Sequence, residues 1–187
     1  WSDNDQFISD VMRFLDNVLQ DFIDRAPDDM AHAKYAAMRE RSVGLGVMGF
    51  HSFLQDRGIP FESVMAKVWN KRIFQHIRKQ ADAASVVLAE ERGSNPDAAE
   101  CGIKERFTHK MAIAPTASIS IIAGNTSPGI EPISANVFLQ KTLSGSVAVK
   151  NRALKKVLAK HGRDDDKMWQ SITLSKGSVQ HLDFLTQ

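Results

Sequence analysis

Ala112-Ile-Ala-Pro-Thr-Ala-Ser-Ile-Ser-Ile-Ile-Ala-Gly-Asn-Thr-Ser-Pro-Gly-Ile-Glu-Pro132 is the stretch on which the reading of this 187-residue chain turns. Residues 110–114 are apolar and strand-like, and Pro115 breaks them. Three small residues, Thr116, Ala117 and Ser118, precede an apolar run over residues 119–123. That order predicts strand, tight loop and helix N-terminus, with the helix over residues 117–123. The first turn of a helix leaves backbone N–H groups without intrahelical partners. Those groups and the positive end of the helix dipole make a ready anion site. Small side chains let a phosphate approach the backbone, and two hydroxyls add donors. Each dipole interaction is worth roughly 0.3–1 kcal/mol at an exposed site, and charge-assisted bonds to a phosphate are stronger still. An ordinary helix cap uses the same residue types, because a Ser or Thr oxygen accepts from first-turn amides. Local chemistry leaves both readings open.

Outward from this stretch the pattern alternates helix and strand. Phe7, Val11, Phe14, Leu15, Val18 and Phe22 recur at three- and four-residue steps and predict an amphipathic helix over residues 5–25 with that face inward. Ser2, Asp3 or Asp5 would cap it. A short helix is expected over residues 30–39. Residues 42–50 read as a buried strand in which Gly44, Gly46 and Gly49 permit close backbone approach. A short helix over residues 51–56 ends at Gly58 and Pro60. Residues 63–92 form the strongest helical pattern, with Val64, Val68, Phe74, Ile77, Ala81, Ala84 and Leu88 on one face. Gly93 suits its C-terminus and Pro96 stops resumption, leaving residues 95–104 as loop. Further on, residues 137–139 read as strand, 150–160 and 167–174 as helices, and Gly177-Ser178 as the start of a last helix capped by Ser178. Strands separated by long helices argue for an α/β fold with two or three parallel strands. The length suits one domain over residues 1–187 with no internal boundary.

Composition narrows the function classes. Net charge is +2, from 24 basic and 22 acidic residues, too small to argue for nucleic acid or a membrane surface. Asp3, Asp5, Asp10, Asp16, Asp21, Asp24, Asp28 and Asp29 make the start acidic, and Lys150, Arg152, Lys155, Lys156, Lys160 and Arg163 form a basic stretch. Both are solvated helix faces, or one docks on another subunit. No run approaches the ~20 apolar residues of a membrane span, and no signal peptide is visible. The one cysteine excludes an internal disulfide scaffold. The cytoplasm is the expected compartment, where the Asn125-Thr-Ser127 sequon carries no meaning.

Other candidate chemistry is thin. His32, His51, His76, His109, His161 and His181 form no His-x-x-x-His pair and have no cysteine at metal spacing, so no metal site is assigned. Cys101 and His109 stand eight residues apart, which matches no thiolate-pair pattern. Gly44, Gly46 and Gly49 have Gly-x-Gly-x-x-Gly spacing inside a strand-like segment, the wrong context for a dinucleotide fingerprint. Asn125 and Glu131 are polar loop residues beside the candidate phosphate seat. Trp69 sits at a helical packing position.

Pro115-Thr-Ala-Ser-Ile-Ser120 resembles the substrate-phosphate loop of aerobic ribonucleotide reductase large (α) subunits. Ser127-Pro-Gly-Ile-Glu-Pro132 follows at that family's distance. Arg41-Ser-Val-Gly-Leu-Gly-Val-Met-Gly49, Asn136-Val-Phe-Leu-Gln-Lys-Thr-Leu-Ser-Gly145 and Gly177-Ser-Val-Gln-His-Leu182 are similar to further family tracts in the family's order. The resemblance implies part of a ten-stranded α/β barrel and radical reduction of a ribonucleotide to the 2′-deoxyribonucleotide. It implies that Pro115, Thr116, Ala117, Ser118 and Ile119 bind the substrate's diphosphate. Thr116 and Ser118 could use side chains, Ala117 and Ile119 only backbone, and Pro115, which has no N–H, would fix the turn. It also implies an α homodimer, a β subunit carrying a metal and a radical, and ATP or deoxynucleoside triphosphate effectors. Adenosylcobalamin replaces the β subunit in the related class, and Pro-Thr-Ala-Ser favours the former.

The family's radical cysteine, reducing cysteine pair and radical-transfer tyrosine pair find no match here. Cys101 lies in Glu-Cys-Gly, not Asn-x-Cys-x-Glu, and Tyr35 is the only tyrosine. No catalytic residue is therefore assigned. The chain starts at Trp1 without an initiator methionine, and the expectation is a C-proximal portion of the catalytic barrel, inactive alone. A non-catalytic assembly module of a split subunit and an unrelated α/β phosphate-binding protein are the alternatives.

Overall fold

The computed structural model describes residue 4, residues 6–142 and residues 145–185. In chain order its helices are α1 (Gln6–Arg25), α2 (Ala31–Glu40), α3 (Phe50–Asp56), α4 (Val64–Arg92), α5 (Pro96–Glu100), α6 (Ile119–Ile122), α7 (Arg152–Lys160) and α8 (Asp166–Leu174). Strands β1 (Val137–Thr142) and β2 (Gly145–Lys150) stand between α6 and α7. Contacts gather into two compact units. The first holds the residues up to Val47 and Glu62–Thr116, and the second holds Met48–Phe61 and the residues from Ala117 onward.

In the first unit α1 packs on α4. Asn4 Oδ1 accepts from the Gln6 amide at 3.0 Å, and the expected caps Ser2, Asp3 and Asp5 lie outside the described residues. The inward face of α1 is Ile8, Met12, Asp16 and Ile23. Phe7, Phe14 and Val18, expected inward, are exposed. Val11, Leu15 and Phe22 of the expected face are half-buried, so the helix carries two apolar stripes and the fully buried one is the other. Ser63 caps α4, its Oγ accepting from the Ala66 amide at 3.2 Å. Val64 and Val68, expected on the packed face of α4, are exposed, while Ile73, Ile77, Ala81, Ala84 and Leu88 are buried. Residues 95–104 were expected to be loop, yet Pro96 opens α5. Proline is preorganised for the first helical position, where its missing N–H costs nothing. Asn95 Oδ1 completes the start by accepting from the Ala98 amide at 2.9 Å.

Asp16 lies at the centre of this unit with no exposed surface. Arg41 Nη2 reaches Oδ1 at 2.7 Å, Arg92 Nη1 reaches Oδ2 at 2.7 Å and Arg106 Nε reaches Oδ1 at 3.0 Å. Arg106 Nη1 also donates to the carbonyls of Arg92 and Gly93, at 3.1 and 3.0 Å, closing the end of α4. Segments leaving Arg41 and Arg106 run side by side. Leu45 and Met111 form a parallel bridge, with Leu45 N donating to Lys110 O and Ala112 N to Leu45 O. Gly46 is required there, because a Cβ would run into the Ala112 carbonyl oxygen.

The second unit is built on a hairpin and two helices. β1 and β2 pair antiparallel, from Val137↔Lys150 to Thr142↔Gly145. Asn151 caps α7, its Oδ1 accepting from the Ala153 amide at 3.0 Å, and Asp165 caps α8. Leu154, Leu158, Trp169, Ile172 and Leu182 form the core between them. Burial of each is worth about 1.5–3 kcal/mol. Gly177, with φ of +80°, ends the α8 turn by donating to Ile172 O, and no α-helix starts there. A Cβ at Gly177 would stand 2.6 Å from Ala135 Cβ.

The expected α/β class is consistent with this mixed helix and strand structure, and the expectation of two or three parallel strands is corrected. Among the described residues there is one parallel bridge, and the only regular strands are the antiparallel hairpin. Residues 42–50 carry three glycines, and no further described strand pairs with their outer edge, so ladder formation stops at one bridge. The alternating Val147 and Val149 of β2 were a readable strand signal.

Burial pushes the Asp16 carboxyl up, and hydrogen bonds from Arg106, Arg41 and Arg92 outweigh it and hold the group below its ordinary 3.8. A folded value below the unfolded one contributes stability above about pH 4 that is lost as pH falls through the folded value. Asp16→Ala should cost about 3–5 kcal/mol at pH 7, because it strands buried guanidinium groups. Urea unfolding at pH 7 and pH 3 checks both: the variant should show a smaller loss on acidification than the parent.

Candidate functional site

The tract that opened the sequence reading passes from one unit to the other, with Pro115 and Thr116 in the first and Ala117 onward in the second. Thr116 has φ of +52°, a left-handed conformation uncommon outside glycine and a turn that redirects the chain after Pro115. Pro115, Ala117, Ser118 and Ile119 are exposed and Thr116 is half-buried. The helix that follows is shorter than expected: α6 covers four residues, Ile119–Ile122, not residues 117–123. One turn has little macrodipole, so an anion here would rely on individual donors.

Those donors are present. Ser118 occupies the N-cap position with φ of −88° and ψ of −41°, and its side chain makes no capping hydrogen bond. The amides of Ala117, Ser118 and Ile119 donate to no backbone acceptor among the described residues. The side chain beyond them is turned inward: Ser120 is buried, and its Oγ donates to Ala117 O at 3.3 Å.

A cavity of about 760 Å³ lies within the second unit, and of the five candidate residues only Ala117 lines it. Its volume falls in the range of small-molecule sites, roughly 300–1,000 Å³. Its wall is braced by reciprocal serines. Ser127 N donates to Ser52 Oγ at 2.8 Å, and Ser52 N donates to Ser127 Oγ at 3.1 Å. Gly49 N donates to Ser127 O at 2.8 Å. Gly49 has φ of +83°, and a Cβ there would stand 2.6 Å from Thr126 Oγ1. The rim carries cations: Arg152 Nη1 donates to Gly124 O at 2.5 Å, and Lys156 pairs with Asp56 at 2.7 Å. These residues come from α3, the loop before β1 and α7. Sequence reasoning did not join them, and the Asn151 cap before a basic helix was the available signal.

The remaining candidates scatter. Cys101 is exposed. His109 Nδ1 lies 2.9 Å from Ser42 Oγ, which also donates to Glu40. Asn125 turns the cavity loop with φ of +58°, and Glu131 is exposed. Trp69 is half-buried, with the Arg72 guanidinium 5.1 Å from its ring centre. Among the described residues no three His, Cys, Asp or Glu side chains form a metal-ligand group, and no helix is long and apolar enough to cross a membrane.

The family model for the ribonucleotide reductase barrel domain matches residues 1–104 and 99–187. The chain belongs to this family. The ribonucleoside-diphosphate reductase large subunit of Invertebrate iridescent virus 3 is 45% identical over all of this chain and 30% of its own length. That of Invertebrate iridescent virus 6 is 48% identical over 97% of this chain and 19% of its own length. Among solved structures, the Actinobacillus ureae class Id ribonucleotide reductase alpha subunit matches with a TM-score of 0.85 and 35% identity, over 97% of this chain and 33% of that one. The chain thus spans under a third of the length of these two viral large subunits. The barrel-domain stretch is mixed, mainly helical with few strands.

His51, next to the Ser52 brace, offers a pH test. Ile133 N donates to His51 Nδ1 at 3.2 Å, so that nitrogen carries no proton. Burial lowers the ring below its ordinary 6.5. The folded state favours the neutral ring, so its contribution is present above about pH 6.5 and lost as pH falls through the folded value. An NMR titration of the His51 ring should give a midpoint under 6.5. His51→Gln, which keeps an acceptor but does not titrate, should flatten the stability profile between about pH 7 and pH 5.

Proposed function

We propose that this chain supplies the substrate-phosphate seat and part of the barrel wall of a ribonucleoside-diphosphate reductase α subunit. The observation that carries the reading is the set of unused donors at the tract. Ser118 stands at a helix start without capping it, beside exposed amides of Ala117, Ser118 and Ile119. A plain helix cap would have used the Ser118 oxygen. The family match over both halves of the chain supports the assignment.

In this reading Pro115 ends the extended segment and Thr116 turns the chain. Ala117 and Ile119 offer backbone N–H groups, and Ser118 offers its amide and hydroxyl to the diphosphate of a ribonucleotide. Hydrogen bonds to charged groups are worth about 1.5–3 kcal/mol each, so three or four of them hold a diphosphate without a long helix behind them. The two contact units then belong to one ten-stranded barrel domain, completed by the remainder of the α subunit. With one cysteine, Cys101, the chain has no dithiol to oxidise. The reducing thiols and the thiyl radical come from the rest of α. The active form pairs an α homodimer, regulated by ATP and deoxynucleoside triphosphates, with a radical-carrying metal-containing β subunit in the cytoplasm. In this reading the metal's ligands belong to β.

Alone, the chain should reduce no ribonucleoside diphosphate. With a polypeptide carrying the remainder of α, and with β, it should support reduction. In that assembly Ser118→Asp should weaken substrate binding at least about tenfold by setting like charge in the seat. Equilibrium binding of the ribonucleoside diphosphate reads this directly. Unchanged affinity would remove the tract from the site.

A further inference from the structure

The donors assigned to the phosphate belong to a helix too short to hold them. α6 has four residues, Ile119–Ile122, and a single turn does not persist without support from outside it. That support is a set of hydrogen bonds leading away from the tract. Ser120 is buried and held on two sides. Its Oγ donates to Ala117 O at 3.3 Å, and its carbonyl accepts from the Thr126 amide at 3.0 Å. The Ala117–Ser118 peptide is trans, so its N–H points opposite to the Ala117 carbonyl. A bond that fixes this carbonyl therefore fixes the direction of the Ser118 amide.

Thr126 is fixed in turn through its neighbour. Ser127 is 1% exposed and is bonded three times to the start of α3. Its carbonyl accepts from Gly49 N at 2.8 Å, its amide donates to Ser52 Oγ at 2.8 Å, and its Oγ accepts from Ser52 N at 3.1 Å. Gly49, at the N-cap position of α3, has no side-chain oxygen for the first-turn amides, and Ser127 Oγ supplies one from another loop. A continuous path thus runs from Ser52 through Ser127, Thr126 and Ser120 to Ala117, all within the second unit.

We propose that Ser52 and Ser127, which lie outside the Pro115–Ile119 tract, are positioning residues for the substrate's diphosphate, acting through Ser120 on the amides of Ala117, Ser118 and Ile119. The inference rests on the phosphate-seat reading, and it adds the residues that give that seat its shape. An anion binds more tightly to donors already fixed in direction, because less ordering entropy is lost on binding. Ser52 and Ser127 touch no substrate in this arrangement; they set where the donors point.

Inorganic pyrophosphate is the probe, titrated into the 187-residue chain and followed by amide NMR. It should shift the Ala117, Ser118 and Ile119 resonances. Ser52→Ala takes the acceptor from the buried Ser127 amide. Ser120→Ala removes the last link and leaves the Ser52–Ser127 pair in place. Each should raise the pyrophosphate Kd at least about fivefold, within the range for residues that act on a site without touching its ligand. Ser52→Thr, which keeps the hydroxyl, should bind within about twofold of the parent. Ser63→Ala removes the α4 cap in the first unit, so it should unfold at lower urea with an unchanged Kd. A loss of stability by itself would move both. A Kd within about twofold of the parent in Ser52→Ala or Ser120→Ala overturns the proposal. So does a loss in Ser52→Thr or Ser63→Ala equal to that in Ser52→Ala. Where circular dichroism shows Ser52→Ala unfolded, Ser120→Ala decides. Pyrophosphate that shifts none of the three amides in the parent defeats the seat reading, and the positioning role with it. Parent-strength binding in both alanine variants defeats the positioning role alone.

Discussion

The buried carboxylate of Asp16 binds three guanidinium groups, and the first unit is arranged around that demand. A lone carboxylate out of water is costly, and so is a lone guanidinium; together, with their hydrogen bonds satisfied, they are tolerated. Asp16 comes from α1, Arg41 from the end of α2, Arg92 from the last turn of α4 and Arg106 from the segment beyond α5. Four pieces of chain thereby meet at one point. Arg41 lies four residues before Leu45, and Arg106 lies five before Met111, so two segments tethered to one carboxylate leave it side by side. The parallel bridge follows from that common origin. Such a cage specifies an arrangement more than it stabilises one, since well-packed apolar residues can match a buried ion group in stability.

The second unit solves the same problem with neutral groups. Ser52 and Ser127 each give the other's amide an acceptor, so both loops satisfy buried backbone donors without a charge. Asn136 and Asn151 do the equivalent at the base of the hairpin. Asn151 Nδ2 donates to Asn136 Oδ1 at 2.7 Å, and Asn136 Nδ2 donates to Gly177 O at 3.0 Å. These amide links fix where β1 begins and where α7 and α8 attach, and the cavity wall inherits their geometry.

The Pro115–Ile119 tract contrasts with both. The amides of residues 117–119, after the positive-φ Thr116, have no backbone acceptor among the described residues, and the Ser118 side chain makes no capping hydrogen bond. Unused donors at a turn cost nothing while they are solvated, and in the proposed reading they are preorganised for an incoming anion. Helix length matters little in this arrangement. A long α6 would add dipole, but the separate N–H groups carry the charge-assisted bonds.

The amino-acid order by itself determined the helices α1, α4, α7 and α8, because apolar periodicity and capping residues are local properties. It also pointed to the family, because the ordered tracts that carry the resemblance are one-dimensional patterns. It misjudged Pro96, which starts a helix, and Gly177, which ends one, since each residue type serves either role and the neighbours decide. Which stripe of α1 faces inward was decided only by tertiary structure. Ile8 and Met12 compete with Phe7 and Phe14 on equal hydrophobic terms, and the pull of Arg41, Arg92 and Arg106 on Asp16 selects the former. The parallel bridge and the Ser52–Ser127 brace were likewise invisible, because each joins residues more than sixty positions apart through geometry that no local pattern encodes.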